Sequence, residues 1–170
     1  MKVTSAYANK LLRQLNDDKT YWLEIENTCS TYVAANGEEA VIPEYDYLKV
    51  SKTISEIDEK ILKIKHAINV YNASTVMTLK SGAVMTIDQA LVAMAQLSSR
   101  KLTLDYMRKR QPKQRSRDNY ARPNNVIEFT YINYDLELVK ADYERISEEI
   151  MDIQMQLDKL NQTVEFDIDL

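Results

Sequence analysis

The sequence predicts a mainly α-helical fold: an antiparallel, coiled-coil-like helical hairpin or four-helix bundle with a small β element. Three observations point there. Apolar residues recur three and four positions apart over long stretches, Gly37 and Gly82 are the only glycines among 170 residues, and a few short runs alternate apolar with polar residues. Steps of three and four line one stripe of a helix, whereas period two lines one face of a strand.

The first helix is expected over residues 4–35, with Ala8, Leu11, Leu15, Trp22, Ile25, Cys29 and Tyr32 on heptad spacing and one polar break at Asp18. Such a break sets register or marks a solvated point of the seam. Asn36-Gly37 stops that helix and Pro43 blocks continuation, so a connector follows. A second helix over 45–72 repeats the pattern through Val50, Ile54, Ile57, Ile61, Ile64, Ile68 and Tyr71, opposite a face of Lys, Glu and Asp. Two such helices joined by a short loop fold back as an antiparallel pair. Residues 76–87 read as a β-hairpin turning at Lys80-Ser81-Gly82, after which Thr86 and Asp88 cap a third helix over 88–110. Its apolar residues Leu91, Met94, Leu97, Leu102, Leu104 and Tyr106 are unevenly spaced, which predicts packing rather than supercoiling.

Residues 111–125 are expected to be a flexible basic loop, with two prolines and no aliphatic side chain larger than that of Ala121. A strand over 126–132, rich in β-branched and aromatic residues, leads into a fourth helix beginning near Asn133 or Asp135. That helix, over 134–161, carries the most regular seam of the chain: Leu136, Val139, Tyr143, Ile146, Ile150, Ile153, Leu157 and Leu160. Residues 163–169 then alternate Val164, Phe166 and Ile168 with Glu165, Asp167 and Asp169, a half-buried strand with one acidic face. It needs a partner strand, in cis or from another subunit. The hairpin, the 126–132 strand and this last strand are expected to combine into one β element of a single domain, 1–170. Three seams exceed what one helical hairpin buries, so a homo-oligomer is expected.

Composition narrows the function classes. Cys29 is the only cysteine, which rules out an intrachain disulfide and any cysteine-based zinc cluster within one chain. Two glycines cannot build the phosphate-cradling loops of classical nucleotide enzymes. Asn9 and Lys10 interrupt the first apolar residues before a signal-peptide core is reached, so a cytoplasmic location is expected. The uncharged stretch Gln89 to Ser99 has about half the roughly 20 residues of a bilayer span, so no membrane role is expected.

The runs INVYNASTVMTLKSGAVMTIDQAL and LDKLNQTVEFDID, about a fifth of the chain, resemble an uncharacterised family of bacterial cytoplasmic helical proteins, some described as septicolysin-like. Asn69, Asn72, Thr75, Gly82, Thr86, Ala90 and Leu91 occupy positions that match the family pattern of an Asn-rich helix end, a short hairpin and a helix opening with Ala-Leu. The Arg-Asp pair that often follows in that family has no counterpart in Val92 to Gln96. The resemblance implies a mostly helical, oligomeric protein of unsettled function.

The residues that carry chemistry argue against catalysis. His66 is the only histidine and lies between the seam positions Ile64 and Ile68, where it is read as a surface residue. Cys29 sits on an apolar seam, the setting of an inert thiol. Glu148, Glu149, Asp152 and Asp158 on the last helix, and Glu56, Asp58 and Glu59 on the second, fall between seam residues and read as solvated faces. No histidine follows a glutamate by three residues, as a di-metal bundle requires. No catalytic residue, metal or cofactor is therefore expected.

The sharpest feature is charge segregation. Arg108, Lys109, Arg110, Lys113, Arg115, Arg117 and Arg122 lie in one run against the single Asp118. Removing these from the 22 basic and 26 acidic residues of the chain leaves 15 against 25. Three readings stand: a phosphate-contacting arm with Tyr120 beside it, an arm that meets the acidic helices or tail of a neighbouring subunit, or a solvated linker. The functional expectation is a non-catalytic, cytoplasmic, self-assembling or scaffold protein whose surfaces bind other chains. The alternative is a nucleic-acid-associated protein using residues 108–122. The sequence places no pocket for a small molecule.

Overall fold

The structure, a computed structural model, describes residues 1–116 and 128–170. It is mainly α-helical, with small antiparallel strand pairs. In order along the chain come β1 (Lys2–Thr4), α1 (Ser5–Cys29), α2 (Tyr47–Ser74), β2 (Val76–Thr78), β3 (Val84–Thr86), α3 (Ile87–Arg108), β4 (Lys113–Arg115), β5 (Phe129–Tyr131), α4 (Leu136–Thr163) and β6 (Glu165–Asp167). The described chain divides into two compact units, Met1–Thr75 with Leu157–Leu170, and Val76–Gln156.

In the first unit α1 and α2 pack antiparallel. Thr4 caps α1 by accepting from the Tyr7 N–H at 3.3 Å, and Asp46 caps α2 by accepting from the Lys49 N–H at 3.2 Å. Lys19 donates to both carboxylate oxygens of Asp58, at 2.6 and 2.9 Å, next to the polar break at Asp18. Tyr45 on the connector donates to Glu26 at 3.4 Å. The α2 seam from Val50 to Tyr71 is buried or half-buried at every position. Helix α1 ends at Cys29 rather than at residue 35: beyond Ser30 come Thr31, Tyr32 and Val33, exposed residues of which two are β-branched and poor in helices. With no partner over the seam there, nothing offsets that propensity.

Val3, Ala8, Ile64 and Ile168 form a buried core cluster of this unit, flanked by Leu11, Leu12, Leu15, Ala67, Ile68 and Phe166. The last strand finds its partner in cis, where the sequence shows no strand: β1 pairs antiparallel with β6, Lys2 opposite Asp167, Val3 opposite Phe166 and Thr4 opposite Glu165. Residues up to Thr163 stay helical, so β6 is shorter than the alternation suggests.

In the second unit the hairpin expected over 76–87 is present. Its turn closes through Leu79 N–H to Ala83 O and Gly82 N–H to Leu79 O, both 2.9 Å, with Gly82 at φ +85°. That left-handed conformation is one that glycine adopts without a steric penalty. Thr86 begins α3, its N–H donating to the Gln89 side chain at 3.0 Å. Asp135 begins α4 by accepting from Glu137 N–H at 2.8 Å and Leu138 N–H at 3.2 Å. Leu104, Val139 and Ile146 make one core cluster, packed by Leu97, Met107, Tyr134, Tyr143 and Ile150.

The uneven apolar spacing of α3 resolves into two faces. Ile87, Ala90, Met94, Leu97, Lys101, Leu104 and Arg108, in steps of three and four, are buried or half-buried. Two positions of that seam are cationic, and both lie over Tyr143 of α4: Lys101 Nζ is 5.3 Å and the Arg108 guanidinium carbon 3.9 Å from the ring centroid. Leu91, Leu102 and Tyr106 lie on the outer face.

Among the described residues the β structure is three separate two-stranded ladders rather than one combined element. The third, β4 with β5, turns part of the expected 111–125 loop into strand, with Lys113 opposite Tyr131, Gln114 opposite Thr130 and Arg115 opposite Phe129. Residues 117–127, which include much of that loop and the start of the expected 126–132 strand, lie outside the described residues. Among the described residues, no helix is long and apolar enough to cross a membrane.

Ile64 is fully buried where the helix pair meets the strand ladder. Replacing it by alanine is expected to destabilise the protein by about 3 kcal/mol, from lost transfer energy and a residual cavity, and urea unfolding followed by circular dichroism measures it.

Candidate functional site

The expected basic cluster is brought together only in part. Arg108 is half-buried, its Nε and guanidinium nitrogen bonding Asp105 at 2.8 and 2.7 Å while it covers Tyr143. Lys109 bonds the other oxygen of Asp105. Those bonds, from Lys109 first and then Arg108, hold the Asp105 carboxyl below the usual carboxylate range. Asp105 lies three residues upstream of the basic run, so the sequence reading did not count it against the run. Arg110, Lys113 and Arg115 are exposed, and Arg117 and Arg122 lie outside the described residues.

Lys113 and Arg115 sit on the β4–β5 ribbon. Residues two apart on a strand share a face, and so do directly opposed residues, so Lys113, Arg115, Phe129 and Tyr131 lie on one face and Gln114 and Thr130 on the other. Lys113 Nζ stands 4.2 Å from the Phe129 ring centroid and 5.5 Å from that of Tyr131. The result is an exposed patch of two cations and two aromatic rings on a pair of strands to which, among the described residues, no third strand is added.

The first unit carries a groove of about 550 Å³ between the C-terminal half of α2 and β6, a size suited to a small ligand or a few residues of peptide. Tyr71 and Phe166 stack within its lining, centroids 4.6 Å apart and planes 21° apart, and the Tyr71 hydroxyl donates to Leu160 O at 3.2 Å. Burial pushes the Tyr71 phenol above its ordinary pKa. Lys63 and His66 line the groove from α2, and Glu165, Asp167 and Asp169 from the strand. No signal in the sequence locates this groove, because it depends on the pairing of Tyr71 with a residue 95 positions away; only the acidic face of the strand was readable. A shallower hollow in the second unit is edged by Arg145 and Asp142, which pair with each other at 2.6 Å.

Cys29 and His66 are not brought together. Ala8 packs with Ile64, and Cys29 lies 21 residues further along α1, about 30 Å at the rise of an α-helix. Among the described residues no group of three His, Cys, Asp or Glu side chains is placed to hold a metal. Glu56, Asp58, Glu59, Glu148 and Asp158 are exposed and Glu149 half-buried, as their spacing suggests. Asp152 departs from that reading. It is only 7% exposed, its Oδ2 accepts from the Lys80 N–H of the hairpin turn at 2.7 Å, and its Oδ1 has no partner. A position polar by helical spacing is covered because the β2–β3 turn lies over it.

No family model and no curated protein matches the chain. In structure it is similar to a functionally unknown conserved protein from Corynebacterium diphtheriae known from its crystal structure. The TM-score is 0.64 at 14% identity, over 98% of this chain and 100% of that one. The two share a fold. At that identity the likeness extends to the fold alone.

Asp152→Ala removes the acceptor of the Lys80 N–H. The expected loss is about 2 kcal/mol, or roughly 4–8 °C in melting temperature for a chain of this size, read by differential scanning calorimetry.

Proposed function

We propose that the chain is a non-catalytic, cytoplasmic, self-assembling protein whose surfaces bind further copies of itself. The observation that carries this reading is the outer face of α3. Leu91, Ala95, Ser98, Leu102 and Tyr106 follow one another in steps of four, three, four and four, which aligns them on one side of the helix. All five are exposed, with Leu91 at 45%, Leu102 at 60% and Tyr106 at 66%, and none is charged. An uncharged stripe left in water, with Leu91, Leu102 and Tyr106 as its apolar bulk, is the mark of an interaction surface. The septicolysin-like resemblance, which implies an oligomeric helical protein, agrees with it. Sedimentation equilibrium is expected to give a multiple of the 19.7 kDa chain mass, and Leu102→Glu, at an exposed position, to lower that mass with the helical circular dichroism unchanged. A wild-type monomer at 100 µM, a concentration on the order of weak-complex affinities, overturns the reading.

One observation favours a second reading, in which the chain binds single-stranded nucleic acid. Stacking rings beside cations are what such strands recognise, and the β4–β5 ribbon presents Phe129 and Tyr131 beside Lys113 and Arg115. This reading expects the anisotropy of a labelled single-stranded 20-mer to rise with protein at low salt and to fall steeply as salt is added, through counterion release. A flat signal at low salt removes it.

A further inference from the structure

In the β1–β6 and β4–β5 ladders the hydrogen-bond phase shows which residues face outward from β6 and from β4. Met1 and Ile168 exchange backbone hydrogen bonds, Met1 N to Ile168 O at 2.7 Å and Ile168 N to Met1 O at 2.8 Å. In an antiparallel ladder bonded and non-bonded pairs alternate. Val3 and Phe166 are therefore the next bonded pair, and the backbone groups of Asp167, one step between, point away from β1. Those of Glu165 follow the same phase. On the ribbon, Ser116 N–H donates to Glu128 O at 2.9 Å and Ile132 N–H to Pro112 O at 3.3 Å. Gln114 with Thr130 is the bonded pair between them, so the backbone groups of Lys113 and Arg115 point away from β5.

Both outward-facing sets are charged residues at period two, and their charges are opposite. Among the described residues each ladder has two strands, and no described strand of the same chain covers either outer edge. The β6 edge also has space beside it, since the groove is lined by β6 and α2 and by no residue of β1.

We infer that β4 of one copy adds antiparallel to the outer edge of β6 of another, a reading that rests on self-assembly and names its contact. The outward backbone groups then exchange hydrogen bonds with Lys113 opposite Asp167 and Arg115 opposite Glu165. Each basic side chain stands directly across from an acidic one on the same face. Gln114 falls opposite Phe166, on the face of the Tyr71 stack. Strand addition of this kind draws its affinity from main-chain bonds and its selectivity from the side chains. The side chains exclude the symmetric alternatives, because β6 on β6 opposes carboxylates and β4 on β4 opposes cations.

Two double reversals test the contact: Lys113→Glu with Arg115→Glu, and Glu165→Lys with Asp167→Lys. Alone, each leaves a chain whose two edges carry the same charge, and self-association is expected to weaken at least about tenfold in sedimentation velocity at low salt. Mixed in equal amounts, the two variants present opposite charges again, and assembly is expected to return. Circular dichroism checks that each folds; should a double variant lose helix, the single opposed pair Arg115→Glu and Glu165→Lys replaces it. Wild-type assembly that neither reversal weakens overturns the inference and leaves the self-assembly reading standing. A monomeric wild type overturns both. Dissociation by each reversal without rescue in the mixture overturns the inference, as does loss of 20-mer binding in the Lys113/Arg115 variant with assembly intact, which assigns β4 to nucleic acid.

Discussion

Helices of 25, 28, 22 and 28 residues with an apolar stripe on one side depend on whatever covers that stripe. In water such helices owe most of their stability to tertiary burial rather than to propensity. In the first unit α1 and α2 cover each other along the interface that Lys19 and Asp58 hold in register. The core at its Ala8 and Ile64 end is completed by Val3 and Ile168. A two-stranded ladder is marginal alone, so the dependence is mutual: the strands complete the core, and the core holds the strands. Tyr71 serves both, its ring stacked on Phe166 and its hydroxyl on the Leu160 carbonyl.

The second unit meets the same constraint with charged residues in the seam. Lys101 and Arg108 occupy positions where an apolar side chain is expected, and their stems and cationic heads cover Tyr143 instead. Asp105 then pairs with both Arg108 and Lys109. The consequence reaches function. The two residues that open the basic run are committed to contacts with Asp105, and among the described residues of that run Arg110, Lys113 and Arg115 are exposed and lie outside those contacts.

These pairings also explain what the sequence could and could not disclose. The seams of α2 and α4 were legible because every position is apolar, and the 76–87 hairpin because Gly82 marks a turn that favours glycine. The seam of α3 was hidden by its two cations, whose burial depends on a ring 35 or more residues away. Strand β4, Lys-Gln-Arg, has little strand propensity of its own, and β1, though Val3 and Thr4 are β-branched, is only three residues long; each is paired by a segment distant in sequence. Asp152 has the spacing of a solvated residue and is covered by a turn that no helical periodicity describes. Of the candidate site, the charges were readable and their phase was not. Which backbone groups face outward follows from ladder bonds between residues far apart in sequence.

That phase has a consequence for symmetry. Two open edges of opposite charge cannot each pair with their own kind without opposing like charges, so strand pairing through β4 and β6 joins unlike edges. Where each β4 reaches the β6 of the same second copy the contact is reciprocal and closes at two copies; otherwise it runs in one direction and leaves one edge free at each end until a ring closes. The uncharged α3 stripe imposes no such direction. The two surfaces also differ in their response to salt: exposed ion pairs are screened beyond about 8 Å at physiological ionic strength, while apolar burial is strengthened by sulfate and phosphate. An assembly held by the charged edges therefore loosens in salt under conditions that tighten one held by α3, and the sign of the salt effect on mass assigns the dominant contact.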